Sequence, residues 1–265
     1  MTDEAARADL TSRAQIALRE RPLVDVLDLT VRFCASHALA YAKLSLVVGV
    51  PAFALSWAAA ASFGWWVGWA AALVLAAIVD APFVVLASRL VFADEVRTRD
   101  AVRIWGATLP GILGARLAQL VAFLACALLI GLPWVWVGPH LFFLVEVIVL
   151  ERARLRPAFG RAARIAKARY GEALGGMVLL LLARLAFTVL ADLSGREVLE
   201  GVFQVKPPRP MLEVGGSWLA LAGWWVTVPL FASARFLVYL DVRTRTEGWD
   251  IQTRFAAIAS SGGRP

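Results

Sequence analysis

The sequence of 265 residues is poor in charge and in the residue types that usually carry chemistry. Only 18% of the residues are charged and 60% are hydrophobic, whereas soluble domains carry about 25% charged and roughly 45–50% apolar residues. Two cysteines and two histidines argue against a disulfide framework and against a histidine-based metal site. The chain contains no Gly-x-Ser-x-Gly, no His-Glu-x-x-His and no aspartate pair at catalytic spacing, so no motif predicts an enzyme or a cofactor.

The hydrophobic residues are concentrated in runs long enough to cross a bilayer, which takes about 20 apolar residues. We therefore predict an all-α integral membrane protein that forms one membrane domain over 1–265. The N-terminal arm is charged throughout and lacks the apolar core of a cleaved signal peptide, so insertion should begin at the first span. The predicted segments are the polar arm at 1–22, an interfacial helix at 23–42, spans at 43–62, 65–92, 109–131, 133–151, 172–193 and 216–241, and a cytoplasmic tail at 242–265.

The six spans are predicted to form three hairpins, because only Phe-Gly-Trp-Trp separates the first two and Gly-Leu-Pro-Trp the third from the fourth. Three segments also align without gaps: VRFCASHALAYAKLSL from Val31, VRIWGATLPGILGARL from Val102 and ARIAKARYGEALGGMV from Ala163. Apolar residues at helical spacing, with basic residues on the other face, predict that each begins with an amphipathic helix in the headgroup layer of the cytoplasmic face. The arginines at their second positions are expected to face anionic headgroups: Arg32, Arg103 and Arg164.

The distribution of basic residues predicts the orientation. Most lie in the N-terminal arm, the 93–108 and 151–171 loops and the tail, whereas the opposite side carries only Arg196, Lys206 and Arg209. The positive-inside rule makes the basic side cytoplasmic. We expect a protein of the plasma (inner) membrane with both termini in the cytoplasm. The net charge of +7 is attributed to this topology and not to nucleic-acid binding.

Five charged residues lie away from the ends of the predicted spans, and a charge at the bilayer centre costs about 2.5–3.5 kcal/mol. Asp80 and Arg184 each lie about twelve residues, roughly 18 Å, from the cytoplasmic ends of their spans, so we predict an ion pair between them. Arg116, Glu146 and Arg235 come out roughly 8–10 Å deep and are predicted to form a network of one carboxylate between two guanidiniums. In the alternative, the two arginines snorkel separately to the interface, for which Glu146 is too short.

Three segments resemble a known family. RERPLVDVLDLTVRFCASHALAYAKL, VIVLERARLRPAFGRAARIAKARYGEALGGMVLLL and LVYLDVRTRTEGWDIQTRF are similar to the opening, a later block and the closing signature of the bacterial glycerophosphoryl diester phosphodiesterase membrane-domain family and its stand-alone relatives. The resemblance implies a six-span bundle of largely undefined role. Polar stretches here reach about forty residues or less, too short for the separate hydrolase domain of fused members, so no phosphodiesterase activity is implied.

The leading functional hypothesis is a non-enzymatic scaffold or partner subunit of a cell-envelope assembly. Its expected partners are the lipid bilayer, anionic headgroups at the cytoplasmic face, and another membrane protein or further copies of itself. The alternative is a small-solute or lipid transporter in which Asp80, next to Pro82, and the imidazole of His140 act inside the bundle. An intramembrane enzyme ranks third. A continuous polar cavity reaching Asp80 or His140 would favour transport, whereas a packed interior would favour a scaffold.

Overall fold

The structure, a computed structural model, describes residues 23–91 and 96–247. The predicted N-terminal arm and the tail from 248 onward lie outside these residues. Within the described ranges the chain is helical and has no strand, which confirms the all-α class. The helices are α1 (Leu23–Ser36), α2 (Ala38–Phe63), α3 (Trp65–Leu90), α4 (Thr98–Ala127), α5 (Trp134–Phe142), α6 (Leu144–Glu151), α7 (Leu155–Ala168), α8 (Tyr170–Gly201), α9 (Met211–Val214) and α10 (Trp218–Glu247).

Six of the described helical segments are long and apolar enough to cross a membrane: α2, α3, α4, α5 together with α6, α8, and α10. Each overlaps one predicted span, but three of them extend further into polar sequence, and one of these is α8, which continues past 193 to Gly201. α4 begins at Thr98 and not at 109, because no proline interrupts the helical pattern before Pro110 and Asp100 lies in the first turn, where the helix dipole favours a negative charge. α10 likewise continues past 241 to Glu247.

The three aligned segments adopt different local structures. In the first, α1 ends at Ser36 and α2 begins at Ala38, with His37 between them, so the helix predicted over 23–42 is divided between two elements. In the second, Arg103 lies within α4, and no separate helix precedes the span. In the third, α7 is a separate amphipathic helix that buries Ala158 and Ala162.

Helices α3 and α10 form the centre of the bundle. In the apolar 18-residue stretch of each helix, 61% of α3 and 67% of α10 is buried inside the protein, compared with 17% of α4 and 22% of α8. α10 packs against α1, α2, α3, α7 and α8, and α3 packs against α2, α4, α6 and α10. Any polar side chain on the inner faces of α3 and α10 is therefore enclosed by protein.

Hydrogen bonds fix the loop between α8 and α10 at the end of the bundle where α2 turns into α3. α2 turns into α3 at Gly64, whose φ of +93° suits glycine. Where the segment after α9 returns to α10, the indole nitrogen of Trp69 donates to the carbonyl of Gly215 at 3.0 Å. Asp192 accepts hydrogen bonds from the Ser217 hydroxyl and from the backbone N–H of Met211. The loop after α8 is thus tied to the bundle by a buried carboxylate that the sequence patterns did not single out.

Alkylation of Cys34 should report whether α1 is docked on α10. Burial raises the pKa of the Cys34 thiol, which outweighs the lowering effect of hydrogen bonding to Ser233 and Tyr41. The reactive thiolate is therefore depleted at neutral pH. In a Cys126→Ala background we expect maleimide to label Cys34 far more slowly than the unfolded chain at pH 7, with a rate that keeps rising with pH beyond the range of an ordinary thiol.

The control for this measurement is Phe33→Ala, since the Phe33 side chain is only 5% exposed and its removal should loosen α1 and accelerate labelling. Equal rates for the folded and unfolded chains at neutral pH would contradict docking of α1.

Candidate functional site

Four charged side chains from four helices meet inside the bundle. The Nη2 atom of Arg116 on α4 lies 2.5 Å from Oδ2 of Asp80 on α3. The same carboxylate oxygen lies 2.9 Å from Nη1 of Arg235 on α10, and Nε of Arg235 donates to Oε1 of Glu146 on α6. We call these four residues the intramembrane charge cluster; its two carboxylates and two guanidiniums sum to zero charge.

The cluster adds Asp80 to the three charged residues that the sequence analysis had grouped at a shallower depth. Arg235 and Glu146 pair as predicted, but Arg116 reaches the network through Asp80 and does not contact Glu146. The snorkelling alternative is wrong, because the side chains of Arg116 and Arg235 are only 19% and 14% exposed and turn toward buried carboxylates. Depth had been counted from the predicted span ends, and α4 and α10 do not start or stop at those ends.

A proline in α3 shapes one side of the cluster. Pro82 lacks an N–H and therefore leaves the carbonyl of Ile78 without its helical donor. The indole nitrogen of Trp105 donates to this carbonyl at 3.2 Å. One residue earlier, Nε of Arg116 donates to the carbonyl of Ala77 at 2.7 Å. Two side chains of α4 thus bond the interrupted backbone of α3 next to Asp80.

A break in the fourth span shapes the other side. α5 ends at Phe142 and α6 begins at Leu144, so carbonyls at the end of α5 lose their helical partners. The Gln119 side chain donates to the carbonyl of Leu141 at 2.8 Å, and Gln119 in turn accepts from Nη1 of Arg116 at 2.8 Å. Glu146 lies in the first turn of α6, where the helix dipole stabilises a carboxylate. Arg116 is therefore hydrogen-bonded both to the backbone of α3 near Pro82 and to Gln119, the side chain that donates to the carbonyl of Leu141.

The predicted Asp80–Arg184 ion pair is wrong. Asp80 is bound by two other arginines, and the guanidinium carbon of Arg184 lies 3.7 Å from the centre of the Trp224 ring. Nε and Nη2 of Arg184 are buried and have no hydrogen-bond partner among the described residues. Similar depth does not bring two side chains together unless their helices also face each other, and α8, which carries Arg184, packs mainly along α10.

His140 belongs to a different part of the bundle. Its Nδ1 lies 2.7 Å from the carbonyl of Trp136, and its ring centre is 5.8 Å from that of Tyr170. Tyr170 donates to the carbonyl of Val135, which Pro139 leaves without its helical donor. Within the described residues no hydrogen bond or ring contact joins His140 to the intramembrane charge cluster.

The three repeated arginines also have separate environments, and all three are exposed. Arg32 pairs with Asp28 at 3.0 Å within α1. Arg164 donates to the carbonyl of Gly160 at 3.3 Å within α7. Arg103 lines a surface cavity of about 680 Å³. Neither Asp80 nor His140 lines that cavity, so it does not meet the condition that would favour transport.

A second polar cluster was not recognised in the sequence. Glu151, at the end of α6, accepts a hydrogen bond from the Tyr239 hydroxyl at 2.8 Å and forms ion pairs with Arg161 of α7 and Arg243 of α10. The sequence does contain a pattern that points to this cluster, because Glu151 ends the fourth span and the Tyr-x-Asp-x-Arg motif, which contains Tyr239 and Arg243, ends the last one. These positions come from two of the segments that carry the family resemblance, and the fold brings them into contact.

The arrangement offers mutual neutralisation of charge, since each member of the intramembrane charge cluster contacts an opposite charge. In residues 23–91 and 96–247, no group of three or more His, Cys, Asp or Glu side chains is placed to hold a metal ion.

The chain matches no protein family, no curated protein and no solved structure.

Proposed function

We propose that the protein is a non-enzymatic membrane component, a scaffold or partner subunit of a cell-envelope assembly. The observation that carries the proposal is the intramembrane charge cluster, which joins α3, α4, α6 and α10 by direct contacts between opposite charges. Buried ion pairs add little net stability but make a wrong arrangement costly, because each charge left without its partner is destabilising. Such a cluster favours one arrangement of the helices, as a binding platform requires.

Three further parts of the proposal concern topology. The helices form three two-span units, supported by the packing of α2 on α3, of α4 on α5 and α6, and of α8 on α10. The amphipathic helices α1 and α7 lie in the headgroup layer, supported by the exposed Arg32 and Arg164. The basic side faces the cytoplasm of a plasma membrane. Membership of the glycerophosphoryl diester phosphodiesterase membrane-domain family rests on the three similar segments and implies the same topology.

The scaffold proposal predicts that assembly and stability are lost together. We expect the full chain, purified from its native membrane in mild detergent, to elute as a stoichiometric complex larger than the 28.7 kDa chain, as measured by native mass spectrometry. Asp80→Asn should lower both the melting temperature and the fraction of complex, because it removes the counter-charge that Arg116 contacts and leaves Arg235 with Glu146 alone.

The matched control is Glu200→Gln, which removes one negative charge from an exposed position on α8. This variant should retain the complex. A monomeric wild-type protein, or an Asp80→Asn variant with wild-type melting temperature and wild-type complex, would refute the scaffold proposal.

Transport is the second candidate, and a specific feature favours it. A helix with an internal proline and a broken helix both lie next to the intramembrane charge cluster, and discontinuous helices are common at transporter binding sites. Oδ1 of Asp80 and Oε2 of Glu146 are buried and have no hydrogen-bond partner among the described residues, so each carboxylate keeps an oxygen available to a proton or cation. Proteoliposomes loaded with a pH-sensitive dye test this candidate: a transporter would give solute-dependent proton flux that Asp80→Asn abolishes without loss of folding.

A further inference from the structure

We infer that the cavity at the ends of α3, α4 and α6 binds a phosphate-bearing ligand, either the headgroup of an anionic lipid or a soluble phosphate. The cavity has a volume of about 680 Å³, within the range of roughly 300–1,000 Å³ typical of ligand pockets. Its walls come from the end of α3, the first turns of α4 and the turn that follows α6. This inference is independent of the scaffold proposal, since it concerns a small anion and not a protein partner.

The charge of the cavity is the first argument. Among the described residues that line it, three carry a guanidinium (Arg89, Arg103 and Arg152) and one a carboxylate (Asp100), an excess of two positive charges. All three arginines are exposed, and none forms a hydrogen bond or ion pair among residues 23–91 and 96–247. The guanidiniums of Arg116 and Arg235, by contrast, form ion pairs with buried carboxylates. Guanidinium groups match the oxygens of phosphate in bidentate geometry, so an oxyanion of this class complements the excess charge.

The backbone at Arg152 is the second argument. Arg152 ends α6 with φ 50° and ψ 33°, a left-handed conformation that glycine adopts without steric cost and that other residues disfavour by roughly 1–2 kcal/mol. A residue with a long cationic side chain therefore occupies a position where glycine would fold more easily. The side chain lines the cavity, so anion binding there would explain why arginine and not glycine occupies this position.

The apolar wall distinguishes two sources of the phosphate. Ile104, Pro110 and Ile148 line the cavity beside the arginines. Arg103, Pro110, Leu117 and Leu124 recur every seven residues of α4 and so share one side of the helix. Leu117 and Leu124 are 63% and 54% exposed, so an apolar track leads from the cavity along the length of α4. A lipid would place its phosphate against the arginines and its acyl chains along this track, whereas a soluble phosphate would use the arginines alone.

The test compares the full-length wild type with Arg103→Gln/Arg152→Gly. Arg152→Gly keeps the left-handed turn and removes the guanidinium, and Arg152→Gly alone should melt at or above the wild-type temperature, so loss of binding will not reflect unfolding. The matched control is Lys206→Gln/Arg209→Gln, which removes two exposed positive charges from the loop after α8 that do not line the cavity. The probes are inorganic phosphate added to protein in neutral detergent, and nanodiscs of phosphatidylcholine with or without phosphatidylglycerol.

Binding to the native state should raise the melting temperature of the wild type in proportion to ligand concentration. Each lost charged contact should weaken binding about tenfold, hence about a hundredfold for the double variant, while the control binds like the wild type. A response to both probes assigns the site to phosphate as such, and a response to phosphatidylglycerol alone assigns it to a lipid headgroup. No response to either probe overturns the inference, as does an equal loss in the control variant or an equal shift in pure phosphatidylcholine.

Discussion

Replacing Glu146 with Gln should lower the free energy of unfolding by about 3–5 kcal/mol, the range expected when one partner of a buried ion pair is removed. Glu146 is fully buried, and its Oε1 accepts from Nε of Arg235, whose side chain is 14% exposed. The substitution keeps the size of the side chain but leaves Arg235 with Asp80 as its remaining counter-charge, and Asp80 is already shared with Arg116. Reversible unfolding in mixed micelles, followed by the fluorescence of the 11 tryptophans, measures the change.

Glu200→Gln supplies the control, because it removes the same charge from an exposed site on α8 and should change stability by less than about 0.5 kcal/mol. A double-mutant cycle with Arg235→Gln isolates the pair, and the expected coupling is about 1–3 kcal/mol. Additive effects of Glu146→Gln and Arg235→Gln would show that the two side chains do not interact, and the arrangement of the cluster would then be wrong.

Asp80→Asn should be destabilising to a similar degree, about 3–5 kcal/mol. Asp80 is 7% exposed and is the residue through which Arg116 and Arg235 are joined. Without its charge, Arg116 has no counter-charge in contact and retains only neutral acceptors, the carbonyl of Ala77 and the side chain of Gln119. The same unfolding measurement in mixed micelles tests this.

Two cycles distinguish the partners of Asp80. Asp80→Asn combined with Arg116→Gln should show strong coupling, whereas Asp80→Asn combined with Arg184→Met should show coupling below about 1 kcal/mol, because Arg184 lies against the Trp224 ring and forms no ion pair with Asp80. Stronger coupling of Asp80 to Arg184 than to Arg116 would support the ion pair predicted from the sequence and would contradict the structure.

The pairing partners of Asp80 and Arg116 could not be obtained from the sequence, although the Glu146–Arg235 pair and the residues that needed partners could. Asp80, Glu146 and Arg235 stood out because charge in an apolar run is costly wherever the run folds. Their contacts depend on which helix faces touch, and Asp80 and Arg235 are 155 positions apart. Depth counting also assumed that helices end where polarity begins, an assumption that α4 and α10 violate by continuing to Thr98 and Glu247.

The cavity and the polar cluster around Glu151 likewise could not be predicted from the sequence. Arg89, Arg103 and Arg152 appear in the sequence as three basic residues among many on one side of the membrane, and only the meeting of α3, α4 and α6 makes them the lining of one cavity. Glu151 and Tyr239 belong to two separate segments of the family resemblance, and the Tyr239 hydroxyl donates to Glu151 only because the fold brings α6 and α10 together.

The sequence by itself determined that this is a helical protein with six segments able to cross a membrane, and which charged residues in those segments required compensation. These properties are local, because they follow from the length and composition of each run relative to the thickness of a bilayer. Only the tertiary structure decided that Asp80 binds Arg116 and Arg235, that Arg184 stacks on Trp224, and that three exposed arginines share a cavity. These contacts depend on the rotation and order of packed helices, which the hydrophobic pattern of an individual span does not encode.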